Sequence, residues 1–143
     1  MDELNLLVDV EKIRKLKAKY FRSMDSKDWQ GLSSCFTQDL VADFRNGPGM
    51  LAEGRDNYIQ QISEILKEAT TIHHGHMPEI DVLSATTATG VWSMEDIVTL
   101  PDVSLQGWGH YHDHYRKEGG EWKIASTKLT RIRLLVNGEE QNV

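Results

Sequence analysis

The stretch "TIHHGHMPEI", residues 71–80, marks the point where the hydrophobic period of this chain changes. Before it the period is helical. Leu6, Val10, Ile13, Leu16, Tyr20 and Met24 recur at three- and four-residue spacing with Glu and Lys between them, which predicts a helix from about Glu3 to Met24. Asp25, Ser26 and Asp28 supply a turn and a cap before a short second helix through Leu32 and Cys35. Phe36 to Phe44 reads as a strand closed by Asn46-Gly-Pro-Gly49, and Gly54 to Ala69 as a third helix carrying Tyr58, Ile62, Ile65 and Leu66 on one side. From Thr70 onward the period is two. Thr71–Val82, Ala88–Leu100, Gln106–Arg116 and Trp122–Val136 read as strands. Thr99-Leu-Pro-Asp-Val separates the second from the third, and the tight Lys117-Glu-Gly-Gly-Glu connection joins the third and fourth as an antiparallel hairpin. Helices followed by an antiparallel run give an α+β fold, with the helices on one face of a curved sheet. A strongly bent sheet closed at one end by helices is a cone with a cavity, the kind of place where small ligands bind.

With 143 residues and no internal repeat, the chain is expected to form one domain spanning residues 1–143. A formal charge of −6 argues against a nucleic-acid partner, which requires clustered Lys and Arg. The lone cysteine, Cys35, excludes an intrachain disulfide and suggests a reducing compartment. No apolar run is long enough to span a bilayer, and Met1–Val10 carries acids rather than a basic leader. A cytoplasmic protein without a membrane partner is therefore expected.

Strand parity sorts the polar residues. Trp92, Met94 and Asp96 share one face; two large apolar groups mark it as buried, so Asp96 needs a cation. Leu129, Arg131 and Arg133 share a face of the last strand, and Arg131 is a candidate partner, the alternative being an exposed position. His73 and Gly75 fall on one face of the opening stretch, His74 and His76 on the other, so the three imidazoles cannot bind one ion from a regular strand. His110, His112 and His114 alternate with Tyr111, Asp113 and Tyr115. Neighbouring pairs there could chelate Zn²⁺, but the outer two lie roughly 13 Å apart, so all three cannot; an outer face or subunit contact is the simpler reading. Tyr20 and Asp25, about one helical turn apart at the end of the first helix, could meet His73 at the cavity mouth; Asp25 could equally be a plain cap.

The segments "IRKLKAKYFRSMDSKDW", "HHGHMPEIDVLSATTATGVWSMED" and "STKLTRIR" resemble the SnoaL-like proteins of the nuclear transport factor 2-like superfamily. Among these they are most similar to bile acid 7α-dehydratases, with hexachlorocyclohexane dehydrochlorinase and scytalone dehydratase more distant. The resemblance covers nearly the whole chain. It implies a cone-shaped, cystatin-like α+β barrel with no metal and no organic cofactor. It implies an active site of Tyr20, Asp25, His73, Asp96 and Arg131, all matching in residue type. The segment "IVTLPDVSLQGWGH" is shorter than the loop the resemblance to the bile acid enzymes implies, and "LLVNGEEQNV" follows Arg133; both are expected to alter the cavity rim relative to those enzymes.

The expected chemistry is a cofactor-independent, dehydratase-type β-elimination, or an allied isomerase-type proton transfer next to a carbonyl, on a hydrophobic, polycyclic or steroid-like carbonyl compound. His73 removes a C–H proton, Asp25 holds the other ring N–H, and Tyr20 donates to the developing enolate. Asp96 either assists the leaving hydroxyl or anchors Arg131. Phe44, Trp92 and Met94 supply apolar walls. Of the histidines at 73, 74 and 76, only His73 is expected to be chemical, with Gly75 leaving room for a ligand, His74 facing away, and His76 held by a carbonyl near Pro78. The competing reading is a hydrophobic-ligand-binding or assembly domain without turnover; a further one is a metal enzyme using His110 and His112. Self-association is expected through the aromatic outer face around Trp108, as a trimer rather than a dimer.

Overall fold

The structure is a computed structural model and describes residues 2–143. Helix α1 (Glu3–Asp25) begins where the Asp2 carboxylate accepts the Asn5 N–H at 2.8 Å, and ends at Ser26 with Lys27 in the left-handed region. Its buried stripe is Asp9, Ile13, Lys17, Tyr20 and Met24, with Ser23 beside it. Two of those stripe positions are charged, and this sets up the interior described below. Helix α2 (Trp29–Ser33) is capped by Asp28, whose carboxylate accepts the Gly31 N–H. Helix α3 (Arg55–Ile65) is shorter than its apolar pattern suggests, because residues 66–69 turn away into the sheet.

The strands are β1 (Phe36–Asp43), β2 (Leu51–Glu53), β3 (Thr70–Val82), β4 (Thr87–Thr99), β5 (Ser104–Glu118), β6 (Glu121–Val136) and β7 (Glu139–Glu140). They form one sheet in the order β2-β1-β6-β5-β4-β3, with β7 added to β6. The sheet is curved and unclosed, and the N-terminal helices pack on it. The β3–β6 run is antiparallel as expected, and β5 and β6 form the hairpin. One junction outside that run is parallel. β1 runs parallel to β6, since the α3–β3–β4–β5 excursion lies between them in sequence. Register shifts between His76 and Glu79, Trp108 and Gly109, and His114 and Tyr115 bend the strands.

The concave face carries the core. One cluster joins Ile13, Tyr20 and Met24 of α1 to Phe36, Leu40 and Tyr58; a second holds Trp92, Met94, Tyr111 and Leu129. Among the described residues, no helix is long and apolar enough to cross a membrane.

Candidate active site

A cavity of about 390 Å³ opens between the helices and the concave sheet, within the range typical of small-molecule sites. Its wall is mostly apolar: Met24, Phe44, Ile62, Leu66, Val98 and Leu129 among others. Into it point Tyr20, Tyr58, His73, Asp96, Tyr111 and Arg131.

His73 arrives from β3 on the buried parity with Thr71. Its Nδ1 lies 2.7 Å from Asp25 Oδ1, and its backbone N–H donates to Asp25 Oδ2 at 2.8 Å. The Thr71 hydroxyl donates to Asp25 Oδ1 at 2.9 Å. Burial at the helix end disfavours the ionised carboxyl. The hydrogen bonds from the His73 ring, the His73 backbone and Thr71 outweigh it and hold the Asp25 pKa below the ordinary 3.8. An ionised carboxylate only accepts, so the ring proton sits on Nδ1 and Nε2 keeps its lone pair. Asp25 is thus more than a cap: it ends α1 and grips β3.

Asp96 and Arg131 meet in a bidentate pair, both N–O distances 2.9 Å, with side chains only 11% and 8% exposed. They stand on β4 and β6, with β5 between. The intervening residue is Gly107, which pairs with Asp96. A Cβ there would overlap Arg131 Nη1 and lie 2.5 Å from Asp96 Oδ1, so only a bare backbone lets the two reach each other. The Arg131 backbone N–H donates to Asn46 Oδ1 at 2.6 Å, tying β6 to the loop after β1. Both Asp96 oxygens accept from Arg131.

Tyr20 is buried, as are Tyr58 and Tyr111, and its ring stands edge-on to that of Tyr111 with centroids 6.1 Å apart. Burial, then the neighbouring phenols and Asp113, push its pKa well above 10. The three phenols therefore remain O–H donors at the cavity.

All five residues expected at the site line one region: Tyr20, His73, Asp96 and Arg131 on the wall, Asp25 directly behind His73. Four details differ from the sequence expectations. Trp92 and Met94 do not line the cavity. They lie behind its wall with Tyr111 and Leu129, and the Trp92 indole donates to the Tyr115 hydroxyl at 2.9 Å; Phe44 does line it. The space beside Gly75 belongs to Phe21, whose ring would lie 2.6 Å from a Cβ there, not to a ligand. Arg133 does not share the Arg131 face. Trp108 pairs with Arg133 and Gly109 with Arg131, so the bulge at Ile132 turns Arg133 outward onto the Trp108 ring at 5.6 Å. His76 is exposed beside His74, ring centroids 6.1 Å apart, rather than held near Pro78.

His74 faces outward, with Nδ1 3.7 Å from Glu95. His110, His112 and His114 take the outward parity of β5, away from the cavity. Among the described residues, no group of three His, Cys, Asp or Glu side chains is arranged to hold a metal ion. Residues that sequence reasoning did not place at the site are Thr71, Tyr58, Asn46 and Gly107. From sequence, Tyr111 is assigned only to the face opposite the histidines.

The model of the SnoaL-like domain family matches residues 5–128. The chain belongs to this family, within the nuclear transport factor 2-like superfamily. It is 23% identical to the probable cyclase FGR4 of Gibberella zeae, across 84% of this chain and 89% of that protein. Among solved structures it resembles a candidate scytalone dehydratase of Novosphingobium aromaticivorans, with TM-score 0.80, 24% identity and 96% and 90% of the two chains covered. It also resembles hexachlorocyclohexane dehydrochlorinase LinA-type3 of Novosphingobium barchaimii, with TM-score 0.82, 17% identity and 94% of each chain covered. At such identities the structural likeness establishes the fold of this SnoaL-like domain.

Proposed function

We propose that this SnoaL-like domain is a cofactor-independent small-molecule lyase that eliminates a β-substituent from a hydrophobic carbonyl compound. The observation that carries the reading is the 2.7 Å contact between His73 Nδ1 and Asp25 at the wall of an apolar cavity. A pocket that merely holds a ligand has no need of a base oriented by a carboxylate.

His73 Nε2 takes the proton from the carbon next to the carbonyl. The electron pair moves onto the carbonyl oxygen, and the enolate accepts the Tyr20 O–H. One such donor is worth roughly 3–4 kcal/mol in comparable oxyanion sites. The enolate then collapses and expels the β-substituent as the C=C bond forms. Asp25 stabilises the imidazolium formed in the first step. Occupation of both Asp96 oxygens by Arg131 favours the anchoring role for Asp96 over an acid role. The names of the dehydrochlorinase, the dehydratase and the cyclase agree with lyase-type chemistry on small molecules. The closer tie to bile acid 7α-dehydratases, with a steroid-like substrate, rests on the matching set Tyr20, Asp25, His73, Asp96 and Arg131.

The mostly apolar wall also suits a domain that binds a lipophile without turnover. A panel of β-hydroxy ketones of increasing ring number, followed for appearance of the conjugated enone absorbance, separates the two readings. Turnover lost in His73→Ala supports the lyase. Saturable binding without turnover, equal in wild type and His73→Ala, supports the binder.

A further inference from the structure

Directly behind the cavity phenols lies a charge that the elimination mechanism does not use. Lys17, on α1, has no exposed side-chain surface, and its Nζ is 2.8 Å from the equally buried Asp113 Oδ2. The contact is close but poorly aligned as a hydrogen bond, so Nζ has no hydrogen-bond partner among the described residues; the distance and the burial of both groups make it an ion pair. The ammonium sits 4.3 Å from the Tyr20 ring centroid and 4.1 Å from that of Tyr111. Asp113 extends the other way. Its Oδ2 accepts the Tyr115 hydroxyl at 2.8 Å, and Tyr115 in turn accepts from Trp92. Tyr115 does not line the cavity, whereas Tyr20 and Tyr111 do. The pair is thus a fixed dipole whose positive end faces the two cavity phenols.

A buried ion pair is a poor way to stabilise a core, since apolar replacements of similar volume are often neutral or better. With Asp113 made neutral as well, the space between the Tyr20 and Tyr111 rings could be filled by a methionine with no buried charge left unpaired. A cation over a phenol face is attracted to the ring. It also draws electron density from the ring and strengthens the O–H as a donor.

We propose that Lys17 is a positioning residue: held by Asp113, its ammonium orients Tyr20 and Tyr111 and strengthens their hydroxyls as donors to an oxyanion in the cavity. The inference rests on the oxyanion role of Tyr20 given above. Lys17 itself does not reach the cavity.

The probe is a set of ring-fluorinated phenols of nearly constant shape and graded acidity, titrated by calorimetry into wild type and into Lys17→Met/Asp113→Asn. The double variant leaves no buried charge unpaired and keeps a partner for Tyr115. In wild type, corrected phenolate affinity is expected to rise with ligand basicity. In the variant the slope should flatten, with phenolates weakened about tenfold and neutral phenols within twofold. A uniform loss at unchanged slope, or no loss, overturns the proposal, because a purely structural role moves all ligands together. Wild type that does not prefer phenolates refutes the oxyanion reading itself, a distinguishable failure. A measurement on wild type stands whether or not the variant folds. Protons on Lys17 Nζ should give a slowly exchanging ammonium signal at neutral pH that shifts on adding pentafluorophenolate and not on adding anisole. A neutral amine, or no differential shift, overturns the proposal.

Discussion

Asp25→Asn is nearly isosteric, yet its consequences can be worked atom by atom. Asp25 Oδ2 accepts from the His73 backbone N–H at 2.8 Å, a group that can only donate. The amide oxygen of asparagine must therefore take that position. The NH₂ then falls where Oδ1 now meets His73 Nδ1 at 2.7 Å and the Thr71 hydroxyl at 2.9 Å. Thr71 can rotate to accept, but Nδ1 must give up its proton to become an acceptor. The proton moves to Nε2, and the ring nitrogen left to act as a base is no longer one. The equivalent exchange in a Ser-His-Asp triad costs about 10⁴-fold in turnover, for the same tautomeric reason, and a loss of that order is expected here. A carboxylate that grips α1 and β3 together also contributes about 2 kcal/mol through charge-assisted bonds, so Tm should fall by about 4–8 °C. The tautomer is readable without any substrate. Long-range ¹H–¹⁵N histidine spectra, with His73 assigned by difference against His73→Gln, should show the Nδ1–H form in wild type and the Nε2–H form in Asp25→Asn. Retention of Nδ1–H in the variant, or Nε2–H in wild type, refutes the reasoning.

Gly107→Ala should break the Asp96–Arg131 pair by overlap; loss of a buried pair costs about 3 kcal/mol, or about 6–12 °C in Tm, and a melt within 2 °C of wild type contradicts it. Acid should destabilise the fold between about pH 4 and pH 2: Arg116 holds Asp39 and Arg45 holds Asp43 at about 2, and Asp25 lies below 3.8. Because these pKa values are lowered by folding, the stability they contribute is present above the unfolded value and lost as pH falls through the folded one; thermal melts at pH 2–5 that show no such loss would refute the pairings. Once a substrate or ligand is found, His73→Ala should abolish turnover while His74→Ala, on the outer face beside Glu95, stays within about twofold; equal losses would reverse the face assignment. Light scattering at micromolar concentration should give a homo-oligomer, a trimer rather than a dimer, since Ile72 and Met77 join the histidines on the exposed outer surface; a monomer refutes it.

The change of period at Thr70 was enough to predict helices followed by a sheet, because period reports local geometry and one buried face. Parity then placed Asp96 inward and the β5 histidines outward, since β4 and most of β5 run without a break. Parity failed at Ile132, where a bulge opposite Trp108 turns Arg133 outward. A bulge depends on the register of the partner strand, which no single segment encodes. The period-two rule also hid the fate of Gly75, because the Phe21 ring that fills its space comes from α1, far away in sequence. Lys17 is hidden in the sequence for a different reason. The stripe Ile13, Lys17, Tyr20, Met24 fits helical spacing as well as the one drawn through Leu16, but a lysine is assigned to solvent unless a partner is known. Asp113 was legible as that partner's address: once the histidines of β5 face out, Asp113 faces in and requires a cation. Nothing in the sequence says which of the 16 Lys and Arg residues answers.

The Asp96–Arg131 contact shows where a further signal lay. The two residues are separated by a whole strand, and cross-strand neighbours reach each other directly only on adjacent strands. What joins them is the inward parity of β5, which carries Gly107 and Gly109 on either side of Trp108. Gly107 pairs with Asp96 and Gly109 with Arg131. The bare position at Gly107 clears a path over which the guanidinium can lie, while Gly109 lets the β6 backbone at Thr130 and Arg131 come close, where a Cβ would overlap the Thr130 carbonyl oxygen. Isolated glycines weaken a strand and need a reason to be there. At Gly107 that reason is a long side chain crossing from the next strand, and at Gly109 the close approach of the β6 backbone; taken with an inward carboxylate on one neighbour and an arginine on the other, Gly107 favours the paired reading of Arg131 over the exposed one.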